Sequence, residues 1–289
     1  MAQSKKAIRL RIKSVKNTRK ITKAMELVAA SKMRRAVQSA LRSRSYAETV
    51  AEAMRSAAMG APVNIQNMLL TGNPKAEKTL LVLFSSDRGL AGGLNVNLAR
   101  AALEFVRTSE KEQIEVVAVG KKGGDAMDRA GVKVIARFGA LSNNPAYTDL
   151  LPVARLALDS FISGEYKRVV IGFTHFISGI SQKPEMMDLL PMKFEKPDTD
   201  NRTPEEITFE PSPKDVLDRM LPAVARTMLW QALLESAASE HASRMLAMKN
   251  ASDAAKDMLD ALTFTYNQAR QAGITQEIAE ISSGKAALE

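Results

Sequence analysis

The sequence predicts an α/β chain in which a central, mostly parallel strand–helix domain interrupts a long antiparallel coiled coil formed by the two terminal helices. Three observations carry this. An apolar seam repeats at heptad spacing near the C-terminus, a matching stripe runs along the N-terminal segment, and strands alternate with helices between them. The expected sections are residues 1–60, an N-terminal helix; 61–212, an α/β domain with linkers; and 213–289, a C-terminal helix.

The C-terminal seam steps three and four residues at a time through Ala238, His241, Met245, Met248, Ser252, Ala255, Leu259, Leu262, Tyr266, Ala269 and Gly273. Glu235, Glu240, Arg244, Lys249, Asp253 and Lys256 read as its charged flanks. Val216, Leu217, Met220, Leu221, Val224, Met228, Leu229 and Leu233 extend the spacing upstream. Pro213 suits a first helical turn, and Pro222 can bend a helix without ending it. No glycine intervenes before Gly273, so a helix of ~60 residues and ~90 Å is expected. A compact chain of this length would be only ~45–50 Å across. Such a helix leaves its own globule and needs cover, partly from the chain's other helix and partly from another protein.

The N-terminal segment repeats Ile8, Ile12, Val15, Thr22, Met25, Ala29, Met33, Ala36 and Ala40 at helical steps, with neither proline nor glycine before Gly60. Its charge is one-sided: Lys13, Lys16, Arg19, Lys20, Lys23, Arg34 and Arg35 are among many cations, and Glu26 is the single acid before Glu48. A transit peptide would end sooner. A nucleic-acid arm would fit the charge, but no aromatic residue interleaves it before Tyr46. The preferred reading is a helix that packs on the C-terminal helix and shows a basic face to acidic protein surfaces; a basic coiled-coil nucleic-acid-binding protein is the alternative.

Between the helices, a loop at 60–76 gives way to strands at 79–84, 114–119, 132–138 and 168–174, with helices at 94–108, 121–130 and 149–163. Nearly continuous apolar strands alternating with helices predict a mostly parallel, Rossmann-like sheet covered on both faces. Segments 176–181 and 186–194 suggest a hairpin-like edge, and 195–211 a long return connection.

Chemistry is scarce. There is no cysteine, and His175 and His241 are far apart, so no metal cluster, thiolate or disulfide framework is expected. No apolar run approaches the ~18 residues of a membrane span. The net charge of +9 implies an acidic partner. The loop Ser85–Asn95 (SSDRGLAGGLN) follows a strand and precedes a helix, as phosphate-cradling loops do. It matches neither a dinucleotide fingerprint nor a P-loop, so a tight turn or docking loop is expected, with no cofactor and no catalytic residue.

Four stretches carry a family resemblance. Residues 21–33 (ITKAMELVAASKM), the loop 86–95 (SDRGLAGGLN), 239–249 (SEHASRMLAMK) and above all 266–281 (YNQARQAGITQEIAEI) resemble the gamma subunit of rotary, F-type ATP synthases. The likeness spans the whole chain; Ala91 stands where many members carry Cys, and Lys285 where alanine is usual. It implies a non-catalytic rotor shaft. Its coiled coil would stand inside a hexamer of alpha- and beta-type nucleotide-binding subunits, and its α/β domain at the foot, against an epsilon-type subunit and the ring of proton-carrying membrane subunits. By the same resemblance, Met25, Arg270, Gln271 and Thr275 would touch the hexamer. Asp87, Arg88 and Glu210 would touch the foot partners. A position on the cytoplasmic face of a bacterial inner membrane, without insertion, is implied. Packing of the two helices is expected to set Ile8 opposite Leu262, Val15 opposite Ala255, and Met25 opposite Met245.

Overall fold

The computed structural model describes residues 5–60, 67–109, 112–139, 141–193 and 209–286. In chain order these form α1 (Lys5–Gly60), α2 (Met68–Thr71), β1 (Lys78–Phe84), α3 (Leu94–Thr108), β2 (Gln113–Val119), α4 (Lys121–Arg129), β3 (Lys133–Phe138), α5 (Tyr147–Ile162), β4 (Tyr166–Phe176), β5 (Gln182–Leu190) and α6 (Pro213–Ala286). Most of the return connection expected at 195–211 and residues 61–66 of the first linker lie outside the described residues, as does the Lys285 side chain.

The chain divides into two compact units, one of residues 30–244 and one of residues 1–29 with 245–289. Each long helix contributes to both. The larger unit is built on a sheet ordered β3-β2-β1-β4-β5. β1 pairs in parallel with β2 and β4, and β2 with β3, whereas β5 returns antiparallel along β4 as the edge strand. Strand alternation divides the core. Leu80, Val82 and Phe84 of β1 enter one cluster with α5, the first half of α6, and Met54 of α1. Leu81 and Leu83 enter the other, under α3 and α4. The leucines and valine at 80–83 are wholly buried, each worth about 1.5–3 kcal/mol of transfer free energy. At the N-terminal ends of the strands, Glu115 of β2 gathers Lys133 of β3 at 2.8 Å, the Tyr166 hydroxyl of β4 at 2.6 Å and Lys78 of β1 at 3.4 Å. Burial alone would raise its carboxyl pKa, but these hydrogen bonds outweigh burial and hold it below the ordinary carboxylate value.

α6 holds 74 residues, ~111 Å at 1.5 Å per residue, and runs through Pro222. In the smaller unit its covered positions are the expected seam: Met248, Ser252 and Ala255 are buried, and Leu259, Leu262, Tyr266, Ala269 and Gly273 half-buried, with charged or exposed residues between. On α1, Ile8 is buried and Ile12, Val15, Thr22 and Met25 half-buried. The register differs from the expected one. The Lys5 side chain lies at Gly273, and in the larger unit Ala40 packs with Leu234 and Ala238, where the expected register, continued seven to eight residues from Met25 opposite Met245, sets Met33 opposite Ala238. α1 is therefore displaced by about one heptad toward the C-terminal end of α6. A seven-residue repeat scores both registers alike; the displaced one extends the cover to Gly273, where Lys5 lies.

In this register Val15 faces Leu262 rather than Ala255. A Val15→Cys/Leu262→Cys variant should form an intramolecular disulfide in high yield on oxidation, because the bridge needs Cα atoms ~4.4–6.8 Å apart. Val15→Cys/Ala255→Cys should crosslink poorly, and gel mobility separates the two outcomes.

Candidate functional site

Within the larger unit, α6 is buried on nearly every side from Ala232 to Ala242. α1 covers it on one side and the end of β4 on another. The stretch nevertheless carries Glu235, Ser236, Ser239, Glu240 and His241, all buried. Buried polar groups must find partners, and here they fasten the sheet to the helices.

Glu235 is the centre. Its Oε1 accepts from Arg44 Nη2 at 2.7 Å and Nε at 3.1 Å, and from Gln231 Nε2 at 2.9 Å. Its Oε2 accepts from the Phe176 N–H at 3.0 Å and lies 2.7 Å from His175 Nδ1. One carboxylate thus ties α1, α6 and β4. The Ser239 hydroxyl donates to the Thr174 carbonyl at 3.0 Å, the Thr174 N–H donates to Ser236 Oγ at 3.4 Å, and the Ser243 hydroxyl donates to Gln182 Oε1 at 2.8 Å. The sequence reading placed Glu235 and Glu240 on a solvated flank. They are buried because this part of α6 has neighbours on more than one face, which a single helical period does not reveal. The available signal was an acid set among small residues, Ser236, Ala237 and Ala238.

The loop after β1 is a turn whose polar groups are already used. Ser85 Oγ accepts the Gly123 N–H at 2.7 Å, Asp87 Oδ1 accepts the Lys121 N–H at 3.1 Å, and the Ser86 carbonyl accepts the Lys122 N–H at 3.0 Å. These are the amides at the start of α4 that an anionic ligand would require. Gly120 has φ +94°, and a Cβ there would collide with the Ser85 backbone, so the approach of loop to helix requires glycine. Arg244 holds the loop from α6, donating to the carbonyls of Arg88 at 3.4 Å and Gly89 at 3.3 Å, and pairs with Glu240 at 2.8 Å.

The predicted contact residues fall in separate places. Met25 is half-buried on α1, and Arg270, Gln271 and Thr275 are exposed on α6. Asp87 and Arg88 sit beside Arg244, while Glu210 is exposed just before α6 begins. Arg244 lies ~46 Å along the helix axis from Pro213 at 1.5 Å per residue, so the structure does not bring Asp87 and Arg88 together with Glu210. Among the described residues no group of three or more His, Cys, Asp or Glu could hold a metal ion, and no helix is long and apolar enough to cross a membrane.

The chain thus joins long paired helices to an α/β domain whose glycine loop is closed on the start of its own helix. A family model described as ATP synthase matches residues 4–288. The ATP synthase gamma chain of Herpetosiphon aurantiacus is 44% identical, over 99% of this chain and 99% of its own. That of Roseiflexus castenholzii is 40% identical, over 99% and 98%. Among solved structures, a chain of the Euglena gracilis mitochondrial ATP synthase superposes with TM-score 0.71 at 19% identity, covering 98% of this chain and 94% of that one. The chain belongs to the ATP synthase gamma-chain family, and is a non-catalytic subunit.

Removing the Glu235 carboxylate leaves Arg44 without its buried partner. Glu235→Ala should cost about 3–5 kcal/mol, read as a fall in denaturation midpoint of the full chain, with Glu235→Gln costing less. His241 gives a pH signature. Burial pushes its pKa below the ordinary 6.5; Glu240 pulls it up, while Arg244 and Lys32 depress it further. Its contribution to stability is complete above the unfolded value and is lost as pH falls below it. Thermal melts from about pH 7 down to about pH 5 should show this loss, and His241→Gln should flatten the slope.

Proposed function

We propose that this chain is the central shaft of a proton-translocating ATP synthase. On this reading the α/β domain is turned by the membrane ring, and the paired helices bias each catalytic subunit among its conformations by differential contact. The observation that carries it is the uncovered apolar surface of the two helices. Beyond Gly273, Ile274, Ile278 and Ile281 are 45%, 63% and 75% exposed. Phe264 on α6 and Leu10, Ile21, Leu27 and Val28 on α1 are exposed as well. Among the described residues no part of the chain covers them, and so much apolar surface on charged helices calls for a sleeve of other subunits.

The proposed sleeve is the hexamer of alpha- and beta-type subunits, met by Met25, Arg270, Gln271 and Thr275. Glu210, at the opposite end of α6, is assigned to the epsilon-type subunit and the ring. The loop of Asp87 and Arg88 is assigned to holding the domain on the shaft, since Arg244 grips it. The subunit would be peripheral, on the cytoplasmic face of a bacterial inner membrane.

Arg34 and Arg35 are exposed on α1, where a charge contributes little to the fold. The Arg34→Glu/Arg35→Glu variant should keep its unfolding free energy within about 0.5 kcal/mol. In the reconstituted complex it should hydrolyse ATP with reduced proton pumping. Unfolding ahead of uncoupling sinks the reading of a partner-facing basic surface, and calorimetry showing nucleotide bound to the isolated chain restores the enzyme class.

A further inference from the structure

The face of the sheet opposite α5 and α6 is covered by α3 and α4, and a groove of about 720 Å³ runs between these two helices. Val96, Leu103 and Ala126 line its floor, and Val96 is 61% exposed. Arg100 and Arg107 rise from α3, and Lys122 and Arg129 from α4; Glu104 is the single acid in the lining.

Lys78, Lys133, Lys167, Arg168 and Arg137 have carboxylate partners. The four groove cations, like Lys75, Lys121, Arg155 and Lys183, are in no ion pair among the described residues, but of these only the four line one groove together. Arg107 and Arg129 lie in the last turns of their helices, where the macrodipole favours a cation. Arg100 is mid-helix and has no such reason. Lys122 lies in the first turn of α4, where the dipole opposes it; an incoming carboxylate would relieve that cost.

We infer that this groove is a docking site for an amphipathic helix of another protein, one whose apolar ridge is flanked by carboxylates on both sides. Val96, Arg100, Leu103 and Arg107 follow at helical spacing, so apolar and cationic positions alternate along one face of α3. An apolar ridge on the partner meets Val96, Leu103 and Ala126, and its flanking Asp and Glu meet the cations on either wall. The lining has no aromatic ring on which bases could stack, and a concave groove does not match a flat bilayer. The surface is distinct from the exposed helix faces assigned above to the hexamer.

The test uses the full chain and a labelled, helix-constrained peptide with a Leu/Ala ridge flanked by Glu, followed by fluorescence anisotropy. Its counterpart with Lys in place of Glu should bind at least about tenfold more weakly. Arg100→Glu/Arg107→Glu should weaken the acidic peptide at least about tenfold, and Val96→Asp about fivefold, a change at an exposed position that leaves the fold intact. Reversing Lys16 and Lys20 on α1 should change affinity by less than about twofold. If the double variant melts early, Val96→Asp and Arg129→Glu decide. Equal loss from the α1 reversal, or no loss from Val96→Asp, overturns the proposal. So does binding of duplex RNA or phosphatidylserine vesicles that displaces the peptide and shares its dependence on Arg100 and Arg107.

Discussion

The larger unit depends on satisfying one buried carboxylate. Glu235 sits where α6 passes between α1 and the end of β4, and every donor it collects belongs to an element that must stay in place there. An unpaired charge at that depth would cost several kcal/mol, so the pairing is conditional on Arg44, Phe176 and Gln231 arriving together. Apolar packing around Ala40, Leu234 and Ala238 brings the helices into contact, but alanine faces slide easily. The directional bonds of Glu235, Ser239 and Ser243 determine where sliding stops. A joint that transmits force needs this combination of close small-residue packing and geometric locks.

The same logic applies at the loop after β1. A phosphate-binding turn and a structural turn share glycines and a following helix; they differ in whether the helix amides are free. Here Ser85, Ser86 and Asp87 occupy them, and Arg244 fixes the loop from the other side. The strand-then-helix grammar of nucleotide domains has thus been used as scaffolding.

Much of this was legible in the sequence. The strands at 79–84 and 114–119 and the helix at 94–108 follow from apolar runs and spacing. An antiparallel edge forms as expected, but as β4 and β5 (Gln182–Leu190) with 177–181 as the turn between them, rather than from 176–181 and 186–194. The α6 seam from Met248 to Gly273 is covered residue by residue as the heptads imply. Three things were not legible. A heptad pattern is unchanged by a slip of one repeat, so the register needed a tertiary contact, that of Ala40 with Ala238. The burial of Glu235 depends on a third layer, β4, and Glu240 is paired with Arg244, which holds the loop after β1; no period along α6 encodes either. The placement of Asp87 and Arg88 beside Arg244, remote from Glu210, likewise arises from the sheet's topology.

The covered seam ends at Gly273, and residues 274–283 are exposed all round. Bending stiffness grows steeply with cross-section, so the last turns of α6 form a slender, compliant extension of a stiffer pair. A load applied there is met first by elastic bending of one helix, held by its own backbone hydrogen bonds and by local ties such as Thr275 Oγ1 to the Gln271 carbonyl at 3.0 Å. A load applied at residues 274–283 would therefore bend one helix before it moved the pair.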